Sequence, residues 1–274
     1  MSDTPVTKHV QVPDGQIGYQ IYDPVGIPPA TVVCIPGMGD IASLEYELLI
    51  PHLLRAGYRV FAMDIRGNGL SAGNSFQAFD VPTMASDLRA ILDAEEVESC
   101  FLAANSISGC TAALFAIDNP ERVKALLLFG PVFDTGSQAM TVILSAIVRI
   151  PFIGSAIWIS YFKSLYPLHP LNKECLARAQ ENIRQPGAVR ALAKMFTVPH
   201  LDGRIKEVGV PSLVFLGTKD PDFSNVKKEA EKLRREIPNT KVVTIEGAGH
   251  YVHREVVEEV VNKAVEWLEG LMHG

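Results

Sequence analysis

Five short runs of this chain are apolar at nearly every position. They are Thr31–Ile35, Tyr58–Met63, Phe101–Asn105, Ala125–Phe129 and Ser212–Leu216. Runs of that length without polar alternation mark strands covered on both faces, as in a parallel sheet. Between them the period lengthens to that of helices. Val81–Asp93 places Met84, Leu88 and Ile91–Leu92 on one side, and Leu44–Leu54, Thr111–Ile117, Asn225–Ile237 and Val256–Leu271 also read as helices. Pro51 falls within the first of these and predicts that a second short helix begins there. Upstream, residues 9–13 and 17–22 alternate apolar and polar around Pro13-Asp14-Gly15, which predicts a hairpin. Lys241–Ile245 completes a set of about eight strands. Strands alternating with helices predict an α/β fold: a mostly parallel sheet with helices on both faces.

The rhythm breaks between 134 and 208. Residues 139–162 are strongly apolar, and 173–196 read as helical with no strand between. The expectation is a helical cap at 134–208 inserted into a core formed by 1–133 and 209–274. Arg149, Pro151 and Gly154 interrupt the apolar run, which argues against a membrane-spanning helix there. Trp158, Tyr161, Phe162 and Tyr166 recur at roughly helical spacing, suiting packing and the roof of a pocket alike.

Composition narrows the function classes. In 274 residues, 47% hydrophobic content is ample for a buried core, and a net charge of −6 without a basic cluster disfavours nucleic acid. The four cysteines, Cys34, Cys100, Cys110 and Cys175, form no C-x-x-C pair and are expected to be buried reduced thiols. Met1-Ser2-Asp3-Thr4-Pro5 carries no charged-then-apolar leader pattern, so a cytoplasmic location is the default expectation. Histidines and cysteines at metal-ligand spacing are lacking, and neither metal nor cofactor is expected.

In an open parallel sheet, chemistry collects at the carboxyl ends of the strands. Three reactive side chains fall just past such ends: Ser106 in Ala104-Asn105-Ser106-Ile107-Ser108-Gly109, Asp220 in Gly217-Thr218-Lys219-Asp220-Pro221-Asp222, and His250 in Gly247-Ala248-Gly249-His250. A serine hydroxyl needs a base, histidine titrates near neutrality, and a carboxylate fixes the imidazole tautomer. Small residues at 104 and 108 permit the tight strand–turn–helix that pushes a serine outward. Rivals are Ser108 as nucleophile, Asp222 and Asp134 as acid, and a simple helix-capping role for Ser106. Asp222 reads more readily as the N-cap of the next helix, and His169, His200 and His253 as surface or turn residues.

The order Ser, Asp, His and the elbow segment resemble the α/β-hydrolase family, whose elbow reads G-x-S-x-G. Asp64-Ile65-Arg66-Gly67-Asn68-Gly69-Leu70-Ser71 is similar to the family's D-x-R-G-x-G-x-S loop, where the arginine ties loops together. The resemblance covers nearly all of the chain outside the cap. It implies a nucleophilic Ser106, a general base His250, an orienting Asp220 at the family's G-x-x-D spacing, and an oxyanion hole from the backbone N–H groups of Met38 and Ile107. Two departures stand out. The elbow glycines are Ala104 and Ser108, which fit if both keep negative φ, and Pro36-Gly37 replaces His-Gly before the oxyanion donor, so hydrogen bonding in that loop must differ.

The expected activity is hydrolysis of an ester or lactone of a small to medium apolar substrate through an acyl-serine. Asn105 before the serine also resembles the carbon–carbon bond hydrolases that act on diketones, and some relatives are small-molecule receptors with slow turnover. The expected partner is a small apolar molecule, with no nucleic acid and no stable membrane insertion. Oligomeric state is not legible.

Overall fold

A computed structural model describes residues 5–134, 138–150, 152–197, 201 and 203–273. Eight strands form one sheet in the order β1-β2-β4-β3-β5-β6-β7-β8. They are β1 Val6–Val12, β2 Gly15–Tyr22, β3 Thr31–Ile35, β4 Arg59–Met63, β5 Cys100–Asn105, β6 Val123–Phe129, β7 Ser212–Gly217 and β8 Thr240–Ile245. The first hairpin pairs antiparallel with itself and with β4. Every other pairing is parallel.

Eleven α-helices occur among the described residues: α1 Ala42–Glu45, α2 Ile50–Arg55, α3 Val81–Ala94, α4 Ser108–Asp118, α5 Gln138–Val148, α6 Ile153–Ser164, α7 Lys173–Arg184, α8 Ala188–Met195, α9 Val226–Glu236, α10 Val252–Glu255 and α11 Val257–His273. The 44–54 segment divides into two helices, and Pro51 sits in the first turn of the second, where the sequence placed the start of a short helix. Its missing N–H costs nothing there.

The all-apolar runs are explained by two cores. Val33 and Ile35 of β3, with Leu102 and Ala104 of β5, pack beneath α3, α4 and α9. Val32 and Cys34, with Phe101 and Ala103, face the opposite way toward α2 and α11. Strands clad on both faces bury every residue, as β3, β5 and β7 do. All four cysteines are buried and free. Among the described residues no single helix is long and apolar enough to cross a membrane.

Between β6 and β7 the chain leaves the sheet and forms α5–α8, which pack into a third core with Leu44 and Tyr251. The link to the sheet is polar as well as apolar. Asn182 of α7 is buried, donates to Gly39 O (3.0 Å) and Asn68 Oδ1 (3.1 Å), and accepts from Gly69 N (2.8 Å).

The Asp64–Ser71 loop is braced in the way its sequence suggests. Arg66 is buried, paired through Nε and Nη2 with both oxygens of Asp87 (2.6 and 2.8 Å), and donates to Asp14 at 2.7 Å. Its guanidinium also lies over the Phe76 ring. Asp64 accepts from Ala42 N and Leu70 N, linking this loop to the start of α1.

Candidate active site

Ser106 follows β5 directly and has φ +56°. Positive φ at a non-glycine residue is costly and persists only where surrounding structure enforces it. Here Ser106 N donates to Phe129 O (3.0 Å) and Ser106 O accepts from Val132 N (3.2 Å), so the last residue of β6 and the loop just beyond it hold Ser106 from both sides. Neither Ala104 nor Ser108 has positive φ, and the alanine and serine in place of glycine are tolerated as the sequence requires. Ser108 is buried and spends its hydroxyl on Pro36 O at 2.6 Å, joining the elbow to the loop after β3. That bond removes it as a rival nucleophile.

His250 and Asp220 come from adjacent loops after β8 and β7. Those loops are joined by Lys219 N to Ala248 O (2.9 Å) and Gly247 N to Thr218 Oγ1 (2.9 Å). Close approach at that point depends on Gly217, where a Cβ would sit 2.0 Å from Gly249 O. His250 Nδ1 lies 2.8 Å from Asp220 Oδ2, and both side chains are almost fully buried. Asp220 Oδ1 accepts Asp222 N at 2.9 Å, fixing the carboxylate plane.

Asp222 is not a helix cap, contrary to the sequence-based expectation. Asn225 caps α9, with Oδ1 accepting Lys228 N. Pro221 turns the chain so that Asp222 Oδ2 comes within 3.6 Å of His250 Nδ1, while its Oδ1 accepts the hydroxyl of Tyr161 from α6. Burial alone would discharge His250, but Asp220 first, then Asp222 and Glu45, outweigh it and raise its pKa from 6.5 to about 9. Asp134, the weaker candidate acid, stands exposed at the rim of the cleft.

Met38, Ser106, Ile107 and His250 line one cavity of about 700 Å³. Its walls are largely apolar, including Leu144, Ile147, Trp158, Leu165 and Phe196 from the inserted helices. Trp158 and Tyr161 both pack against each other and line this space, while Phe162 and Tyr166 pack on Tyr251. Among the described residues, neither Met38 N–H nor Ile107 N–H donates a hydrogen bond, and no hydrogen bond joins Ser106 to His250. Such contacts commonly tighten only once substrate is bound.

The Pro36-Gly37 departure has a structural counterpart. Gly37 N donates to Glu45 Oε2 at 2.7 Å, so a buried carboxyl from α1 holds the loop that carries Met38. Burial raises Glu45 to a pKa of about 8. Its other oxygen is 3.3 Å from His253 Nε2. His253 is fully buried between the Tyr46 and Phe129 rings, a correction to its expected surface position. Burial holds its pKa well below the usual value, so the imidazole is neutral. His169 is exposed, as expected, and His200 lies outside the described residues.

Two further positioning groups escaped the sequence reading. Glu255 Oε2 accepts Gly249 N (2.6 Å) beside His250, while Oε1 accepts Leu168 N and His169 N from the inserted segment. Leu165 O takes His250 N at 3.0 Å, so the insertion helps to place the histidine. A buried acid inside an apolar helical pattern, as at Glu45, was the one available signal.

The profile of the family described as "Serine aminopeptidase, S33" matches residues 26–257. The chain is 26% identical to 2-hydroxy-6-oxononadienedioate/2-hydroxy-6-oxononatrienedioate hydrolase 1 of Dechloromonas aromatica (strain RCB), over 98% of this chain and 97% of that protein. It superposes on a thermophilic esterase from Thermogutta terrifontis with a TM-score of 0.79 at 20% identity, covering 98% of this chain and 99% of that one. Carboxylesterase CesB (YbfK) from Bacillus subtilis gives 0.78 at 18% identity, covering 98% and 93%. At such identities these two structures speak to the fold alone. Sheet order, elbow and matched profile agree, and the chain belongs to the serine aminopeptidase S33 family of α/β-hydrolases.

Proposed function

We propose that this hydrolase cleaves an ester or lactone of a small to medium apolar substrate through an acyl-serine intermediate. The observation that supports this best is the character of the cleft. Ser106 and His250 open onto the same apolar space, His250 is backed by Asp220, and none of the described lining residues is Lys or Arg. An anionic substrate would find Asp134 and Asp222 there and no Lys or Arg to pair with among the described lining residues.

In this reading Ser106 Oγ attacks the carbonyl carbon while His250 Nε2 takes the hydroxyl proton. Asp220 accepts the Nδ1–H bond and stabilises the imidazolium. The oxyanion receives the N–H groups of Met38 and Ile107, each worth about 3–4 kcal/mol of transition-state stabilisation in comparable sites. Collapse of the tetrahedral adduct expels the alcohol, which takes the proton from His250. A water molecule then gives its proton to His250 and attacks the acyl carbon, releasing the acid and restoring Ser106.

The expected result with a fluorophosphonate probe is one covalent label, on the peptide that contains Ser106, abolished in Ser106→Ala. A label elsewhere, or none on an active preparation, would sink the proposal.

A second reading is hydrolysis of a carbon–carbon bond in a diketone. It is favoured by the name of the Dechloromonas aromatica relative and by Asn105 before the serine. That name describes a dioate, whose carboxylates the cleft does not match, so a neutral diketone is the form to test. Turnover of neutral 1,5-diketones above that of p-nitrophenyl esters, both requiring Ser106, would select this reading.

A further inference from the structure

Water-facing sides of helices in globular proteins are normally polar. The α5–α6 pair breaks this rule on its outward side. Met140, Val142, Ile143 and Ile153 are each more than half exposed, and Phe152, at the bend between the helices, is 92% exposed. Phe152 also has φ +62°, a conformation disfavoured for a bulky side chain. The bend is a built feature: a Cβ on Gly154 would sit 1.8 Å from Val148 O, so glycine is required for α6 to start against the end of α5.

Charge on this segment has one sign. Residues 138–164 contain Arg149 and Lys163 and no Asp or Glu, in a chain of net charge −6. Both cations are exposed. The patch is also continuous with the cleft, because Met140 and Ile157 are exposed at the surface and line the cavity over Ser106.

We propose that the α5–α6 hairpin docks on an anionic phospholipid surface, with Phe152 and its apolar neighbours entering the headgroup–acyl boundary. Arg149 and Lys163 then meet the lipid phosphates. A second copy of this chain would set the same two cations against each other, whereas an anionic bilayer complements them. The helices have 11 and 12 residues and meet at a 117° bend. Each is about 16–18 Å long, well short of a bilayer core of about 30 Å. The hairpin therefore lies in the interface and does not span it. In that pose Met140 and Ile157 set the apolar side of the cavity beside the lipid, which shortens the path of an apolar substrate to Ser106.

The docking rests on the exposed face and not on the catalytic reading, so Ser106→Ala protein must bind as wild type does. The test is flotation of the full chain with vesicles of phosphatidylcholine, with and without phosphatidylglycerol. The expected result is binding that requires phosphatidylglycerol. Phe152→Ser should lower it about tenfold, and loss of each cation, Arg149→Gln or Lys163→Gln, about fivefold. Circular dichroism melting of each variant shows that it is folded. No binding to anionic vesicles, or binding unchanged in folded Phe152→Ser, would overturn the proposal. So would a dimer in sedimentation equilibrium that Phe152→Ser dissociates and that ignores vesicles.

Discussion

Two carboxylates stand beside His250, and they should separate in a pH–rate profile. A general base must be neutral to accept the Ser106 proton. With the His250 pKa raised to about 9, kcat/KM should climb with pH and level off near that value. Asp222 contributes at 3.6 Å without the aligned bond that Asp220 makes. Coulomb's law at that distance gives about 1 kcal/mol in a water-like medium and about 4–5 kcal/mol at the effective dielectric of a protein surface. The Asp222 side chain is 19% exposed and already receives the Tyr161 hydroxyl, which places the effect in the lower part of that range. One pH unit corresponds to about 1.4 kcal/mol. Asp222→Asn should therefore move the rising limb down by about 1–2 units while leaving the plateau nearly intact. Tyr161→Phe should move the limb up, because Asp222 loses the donor that disperses its charge. Asp220→Asn should lower the plateau itself, by up to about 10⁴ if the tautomer is lost. Initial rates on a p-nitrophenyl ester from pH 5.5 to 10.5 (approximate limits chosen to bracket the shift) measure all three. A plateau lost in Asp222→Asn and retained in Asp220→Asn would refute the assignment. An unmoved limb in Asp222→Asn would refute the electrostatic account.

Two other outcomes follow from buried polar groups. Glu45→Gln copies the protonated carboxyl and should keep both stability and kcat at neutral pH, whereas Glu45→Leu leaves Gly37 N–H without an acceptor. That should cost about 1–3 kcal/mol in urea unfolding and lower kcat by loosening the Met38 loop, and wild-type values for both would show that Glu45 does not position it. Arg66→Ala should destabilise by about 3–5 kcal/mol in the same assay, since it strands the buried Asp87 carboxylate. The added Asp87→Asn substitution should recover part of the loss, and a loss under 1 kcal/mol (roughly that of an exposed pair) would contradict the burial argument.

Local pattern alone determined much of this protein. All-apolar runs announced doubly covered strands because both faces of β3, β5 and β7 meet helices. The small residues around Ser106 announced a tight elbow because strand and helix nearly touch there. Ser106, Asp220 and His250 could be named as candidates because the carboxyl ends of parallel strands share one edge of the sheet, and the resemblance to the family's G-x-x-D spacing chose Asp220 over Asp222. Helix boundaries near Pro51 were legible from proline's missing N–H.

Other features became visible only when distant segments met. Asp222 looks like a helix cap in one dimension, and the turn at Pro221 alone aims it at His250. His253 carries no sequence mark of burial, since its neighbours Tyr46 and Phe129 come from other elements. Asn182 and Glu255 reach loops far away along the chain, Gly39 and Gly69 for the first and Leu168 and His169 for the second, and a hydrogen bond between such segments leaves no periodicity to read. The exposed apolar side of α5 and α6 was equally hidden. Hydrophobic pattern reports which residues avoid water on average, and only the packed structure shows which of them were left facing it.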